Sequence, residues 1–211
     1  MIKGEEMIKK VIFFDVETNG VNPTDSVLSI SAMKVTYDTI TNKMVKLGEF
    51  DRFYFRNEGE EPNFDALNVN GLFDDEIERR RNLSLIKYAK TFNEDIVNFF
   101  EFCDNAEHFV AHNIRFDRQF IPFKLKYQFD TMLENIDIVK IPSNSYYSSF
   151  KWPKLMECAN YYNIPVDENE LHNSMYDVVI MGRVMFKMLK DNEGLKRVRR
   201  FLVDDISTNL K

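Results

Sequence analysis

The run Val11-Ile12-Phe13-Phe14 constrains the fold more than any other segment. Four consecutive large apolar residues of strand-forming type read as a buried strand, which the rest of the chain must cover. The run leads directly into Asp15-Val16-Glu17. Carboxylates at i and i+2 of a strand share one face, where they repel each other unless a cation sits between them.

The following segments suggest what surrounds this strand. Ser26 to Tyr37 alternates well enough to be a second strand, and Leu47 to Phe55 reads as a third, giving an antiparallel three-stranded meander. The spacing predicts a short helix and turn over Asp65–Gly71 and a longer helix within Leu83–Asp104. A strand is expected over His108–His112. A helix is expected over Arg115–Phe129, carrying Phe116, Phe120, Phe123 and Tyr127 as a stripe and kinked at Pro122. A further strand is expected over Ile136–Ile141, with helices over Trp152–Tyr162, Leu171–Leu189 and Glu193–Val203. Strands first, then strands alternating with helices, indicate an α/β layer: a mixed sheet of three antiparallel strands plus parallel strands, flanked by helices. The expected organisation is a polar leader over residues 1–9, one domain over 10–205 and a tail over 206–211.

With 211 residues and a net charge of −6, the chain is too acidic for a protein that coats nucleic acid through general phosphate neutralisation. That balance is compatible with a pocket that concentrates carboxylates around cations. Cys103 and Cys158 lie far apart in apolar helical patterns, which argues against a disulfide framework or a zinc site and for a reducing cytoplasm. Residues 1–10 lack the apolar region of a signal peptide, and no apolar run is long enough to span a bilayer.

Two further segments carry carboxylates at the ends of elements. In His112-Asn113-Ile114-Arg115-Phe116-Asp117, Asn113 is a candidate helix cap and Asp117 lies one turn on. The helix dipole also favours an acid there, so a purely structural role stays open, and His112 reads as a partly buried strand-end residue. In Leu171-His172-Asn173-Ser174-Met175-Tyr176-Asp177, Asp177 heads a strongly apolar helix, where a charge is costly unless paired or metal-bound. His172 stands at or just before that helix and titrates near neutrality, as a general base should.

Asp15-x-Glu17, Asn113-x-x-Phe116-Asp117 and His172-x₄-Asp177, in this order, resemble the DnaQ-like family of DEDDh exonucleases, which has an RNase H-like fold. The resemblance covers about Ile12 to Leu189. Glu17-Thr18-Asn19-Gly20 is similar to the family's Glu-Thr-Thr/Asn-Gly turn. Asn70-Gly71-Leu72 resembles a His-Gly-Ile segment with Asn70 replacing His, and Asn173-Ser174 departs from the usual pair.

The resemblance implies a 3′→5′ exonuclease using two divalent cations, Mg²⁺ or Mn²⁺. Asp15, Glu17 and Asp177 would be ligands, Asp117 would ligate directly or through a water, and His172 would accept a proton. Thr18, Asn19 and Asn113 would border the terminal nucleotide, Phe116 would contact it mainly by packing beneath the site, and Phe64, Leu67, Leu72 and Phe73 would help to wedge its base. The expected partner is a nucleic-acid 3′ end, DNA favoured and RNA possible, with a polymerase or a second copy of the chain as further candidates.

A module that keeps the fold but only binds is disfavoured, because all five catalytic positions are present. The acidic loop Glu58–Pro62 reads as solvated surface. Three basic groups could track the strand behind the terminus: Arg79 to Arg81; Lys151 and Lys154, flanking Trp152; and Lys196, Arg197, Arg199 and Arg200. Each could equally be a solvated face, and Trp152 reads as a partly buried anchor.

Overall fold

A computed structural model describes residues 8–146, 148–167 and 173–210. Its centre is β1 (Ile8–Thr18), which pairs antiparallel with β2 (Val27–Asp38); β2 pairs antiparallel with β3 (Met44–Phe53). On its other side β1 pairs in parallel with β4 (His108–Ala111), and β4 with β5 (Tyr127–Asp130), giving the order β3-β2-β1-β4-β5. The mixed sheet with flanking helices matches the sequence expectation.

Alternation along β1 divides the core. Val11 and Phe13 face one apolar layer with α7 (Ser174–Met188) and α8 (Asn192–Leu202), while Ile12, Phe14 and Val16 face a second with α3 (Phe92–Cys103). Asp15 and Glu17 continue the Val11–Phe13 row, so both carboxylates point to the side where α7 lies. Cys103 and Cys158 are buried free thiols in these layers.

Several expected boundaries move. β1 runs through both acids and starts at Ile8, inside the segment read as a polar leader. α1 (Phe64–Asn70) ends at Gly71 with φ +70°, a left-handed conformation that glycine adopts without a Cβ penalty. Asp74–Leu83, polar and mixed in charge, forms α2. The helix expected from Leu83 begins only at Phe92, because Thr91 and Glu94 make a capping box there, and Leu85 in the preceding stretch is fully exposed.

The helix expected over Arg115–Phe129 is instead α4 (Ile114–Asp117), a 3₁₀ turn at Arg118–Phe120 and then β5. Pro122 drives Ile121 to an extended conformation (φ −98°, ψ 112°), which ends the turn. β5 takes the place expected for the 136–141 strand. Asp130 Oδ1 then accepts Met132 and Leu133 N–H (2.9 and 3.2 Å), starting a 3₁₀ turn that leads into the short helix α5 (Ile136–Val139). α6 (Leu155–Tyr161) and α7 start later than their apolar patterns suggested.

The segment read as a tail also packs. Thr208 N–H donates to Gln128 O (2.8 Å), Thr208 Oγ1 accepts Asp130 N–H (3.1 Å) and Ser207 Oγ accepts Gln128 N–H (3.0 Å), covering the outer edge of β5.

Candidate active site

Three elements bring the acids together. β1 supplies Asp15 and Glu17, and the N-terminal turn of α7 supplies Asp177; one oxygen from each lies within 4.8 Å of the other two. The start of α7 is docked to the sheet by a buried hydroxyl cluster. Ser174 Oγ lies 3.0 Å from Ser29 Oγ and 2.6 Å from Ser31 Oγ, and Ser31 Oγ donates to Asp51 (2.6 Å). Ser174 looks in the sequence like a polar residue opening a helix; here it sets the depth at which Asp177 enters the site.

Asp117 arrives from α4, on the far side of β1. It is buried, and its Oδ1 accepts Val16 N–H (3.2 Å) between the two β1 acids. Asn113 occupies the cap position, but its side chain makes no cap hydrogen bond. Its backbone is left-handed (φ 76°), and its N–H donates to Asp130 Oδ1 (3.1 Å). Asp130 therefore sets the turn that delivers Asp117, a role that its place in an apolar stretch did not signal.

The four acids destabilise one another's charges. Burial, together with Asp117, Glu17 and Asp177, raises the Asp15 carboxyl well above the ordinary range. Burial and then Asp177 push Glu17 up to about 8, against a hydrogen bond from Asn70 that lowers it. Asp117 is also raised, chiefly by burial, although Val16 N–H opposes this. Asp15 Oδ2 is buried with no hydrogen-bond partner. A hard-oxygen donor set with an unsatisfied buried carboxylate oxygen is what a divalent cation would complete, so these residues fit such an ion.

The acids lie in a cleft of about 600 Å³ whose other walls include His112, Asn113, Phe116, Trp152 and Lys154. His112 is neutral at physiological pH, because burial lowers it to about 4. Phe116 lines the cleft and meets Phe120 edge-on at 5.1 Å. Trp152 is exposed rather than a buried anchor, so the Lys-Trp-Pro-Lys segment stands at the cleft.

The expected substrate-binding residues divide. Thr18 is buried, and its Oγ1 donates to Gly20 O (2.5 Å). Asn19 is also buried, donating to Glu60 Oε1 (2.7 Å) and Glu61 O (2.9 Å), so its side chain builds the loop instead of facing the cleft. Glu60 in turn accepts Ser26 N–H at 3.0 Å. It is a latch, which corrects the reading of the acidic loop as solvated surface.

Leu72 and Leu67 are committed to a small core cluster with Leu28, Phe53 and Ile77, which removes both side chains from the expected wedge. Phe64 and Phe73 remain exposed. Asn70, noted only as a departure from a motif, donates to Thr18 O (3.0 Å) and also bonds Glu17. His172 lies outside the described residues.

Most of the candidate cations are already engaged. Arg79 and Arg80 pair with Glu76, Arg81 donates to Phe53 O and Tyr88 O, and Arg197 and Arg200 pair with Glu134. Arg199 bonds Thr39 O, Lys196 pairs with Glu193 and Lys151 with Glu157.

The exonuclease family of the RNase T type matches residues 12–185. Among solved structures, the chain is similar to exonuclease X in complex with 5′-overhanging duplex DNA (17% identity, TM-score 0.56, covering 86% of this chain and 92% of that one). It is also similar to the zinc-bound E. coli exonuclease I–single-stranded DNA complex (14% identity, TM-score 0.64, 87% of this chain and 41% of that one). A third similar structure is cell-death related nuclease 4 (15% identity, TM-score 0.53, 87% and 64%). The chain thus spans less than half of exonuclease I. No curated protein matches it. Among the described residues, no helix is long and apolar enough to cross a membrane. The family match extends from β1 into α7, over all the segments that carry the acids, and by it the chain belongs to the RNase T exonuclease family, of the DnaQ-like DEDDh type.

Proposed function

We propose that the chain is a divalent-metal-dependent 3′→5′ exonuclease that releases nucleoside 5′-monophosphates from single-stranded or frayed DNA ends. The observation that carries this reading is the Asp15–Glu17–Asp177 cluster, three mutually repelling carboxylates held together with a buried, unsatisfied oxygen on Asp15. Such a cluster is stable as an anion only around positive charge. Two ions of Mg²⁺ or Mn²⁺ would supply the activation of water and the neutralisation of charge on the attacking and leaving oxygens.

Asp15, Glu17 and Asp177 would hold the ions, with Asp15 shared between them, and Asp117 would ligate directly or through a water. His172, five residues before Asp177 in sequence, would accept the proton of the attacking water. Phe116 and the exposed Phe64 and Phe73 are the apolar groups available to the terminal nucleotide. DNA is favoured because exonuclease X and exonuclease I, which share the fold, are described bound to DNA.

The test is digestion of 5′-labelled and 3′-labelled single strands of DNA and of RNA, each with Mg²⁺, Mn²⁺ or EDTA. The reading expects mononucleotides from the 3′ end of DNA, stopped by EDTA, and a loss of at least ~10²-fold in His172→Ala without unfolding. Stronger digestion of RNA would move the substrate to an RNase T-like class. Internal cuts in a circular strand would overturn the exonuclease assignment.

A further inference from the structure

A second hollow, of about 330 Å³, opens beside the catalytic cleft and shares Asn113, Phe116, Met132 and Trp152 with it. Its volume is at the lower end for small-ligand sites. Two residues at this hollow differ from their counterparts elsewhere on the surface. Trp152 is 61% exposed, although a large aromatic normally hides most of its area. Arg115 is exposed and makes no hydrogen bond or ion pair among the described residues, whereas the arginines of α2 and α8 discussed above are engaged.

The Trp152 segment is held in place from both sides. Lys151 N–H donates to Ile141 O (3.0 Å), and His112 Nε2 lies 3.0 Å from Pro153 O. A carbonyl can only accept, so His112 Nε2 donates to Pro153 O, while Nδ1 lies 3.0 Å from Thr131 Oγ1. An exposed indole on a segment pinned at both neighbouring residues, beside a guanidinium unpaired among the described residues and continuous with the cleft, has the makings of a nucleotide site: a stacking face and a phosphate ligand.

We propose that this hollow is the subsite for the nucleotide immediately 5′ of the one being removed, its base stacked on Trp152 and its phosphate met by Arg115. The proposal rests on the exonuclease reading of the neighbouring cleft. It makes the enzyme selective for a strand over a lone nucleotide ester, and it assigns His112 as a positioning residue.

Two substrates separate the subsites. An oligothymidylate with an abasic residue next to its 3′-terminal nucleotide fills the catalytic cleft but offers the hollow no base; the intact single-stranded oligothymidylate fills both. In Trp152→Ala, kcat/KM for the intact oligonucleotide should fall on the order of tenfold more than for the abasic strand, mainly through KM, and Trp152→Phe should recover most of the difference. Arg115→Ala should weaken the oligonucleotide and flatten the salt dependence of its KM. Trp152 is the sole tryptophan, so its fluorescence reports the site directly. In Asp15→Asn, the intact oligothymidylate should quench it more than the abasic strand does. Equal losses on both substrates, or no quenching by the oligonucleotide, would overturn the subsite. A wild-type protein that hydrolyses neither substrate overturns the exonuclease reading, and the subsite with it.

Discussion

Asp15 lies where the electrostatic costs of the site converge, since its carboxylate feels burial and three other acids at once. Replacing it with asparagine keeps the shape and removes the charge. Asp15→Asn is expected to lose activity by on the order of 10²–10³-fold or more. Without metal, it should also melt ~2–4 °C higher than wild type, the shift that about 1 kcal/mol produces in a domain of this size; activity assays and thermal melts in EDTA check the two halves. Glu17 carries a pH signature. Its carboxyl is pushed up to about 8 in the folded protein, from an ordinary value of 4.5. Between those values the folded state binds more protons than the unfolded state, so stability from this group is present below about 4.5 and lost as pH rises through about 8. The metal-free protein should therefore melt lower at pH 8 than at pH 5.5, and saturating Mg²⁺ should remove most of the difference. A melting temperature that rises over this window in EDTA would contradict the burial of Glu17.

Among the elements, the loop after β1 shows how much of the site's support is polar. Glu60 receives Ser26 N–H and the Asn19 amide, and those donors stay buried if it is truncated. Glu60→Ala is expected to cost about 1–3 kcal/mol in urea denaturation; a change within error would return the loop to the status of surface. In the sequence this latch is invisible, because a glutamate in an acidic run looks solvated until its partners are known. The motif acids were legible because strand and helix ends at fixed spacing fix their direction, and α7 and α8 because long apolar periodicity outweighs local detail. β5 was not legible: Phe116, Phe120, Phe123 and Tyr127 fall at helical spacing by coincidence, while Pro122 breaks the helix and partners distant in sequence make the strand. Leu72 was misplaced for a related reason, since a motif gives its neighbourhood but not whether its side chain turns toward the cleft or the core.

At the scale of the whole molecule, the C-terminal segment closes the sheet that carries the site. Deleting residues 206–211 removes the three hydrogen bonds on Gln128 and Asp130 and should lower stability by ~2–3 kcal/mol, read as a fall in the urea midpoint. An unchanged midpoint would show that the β5 edge stands without it. The net charge of −6 and the clustered acids oppose the approach of a phosphate unless cations offset them. The most direct test is a calorimetric titration of Mn²⁺ into the metal-free wild type and Asp15→Asn at pH 7, in buffers of different ionisation enthalpy. Saturable binding with proton release is expected in the wild type, because Glu17 must give up its proton to ligate, and loss of that binding in Asp15→Asn. Equal binding by both proteins, or none by the wild type, would contradict this.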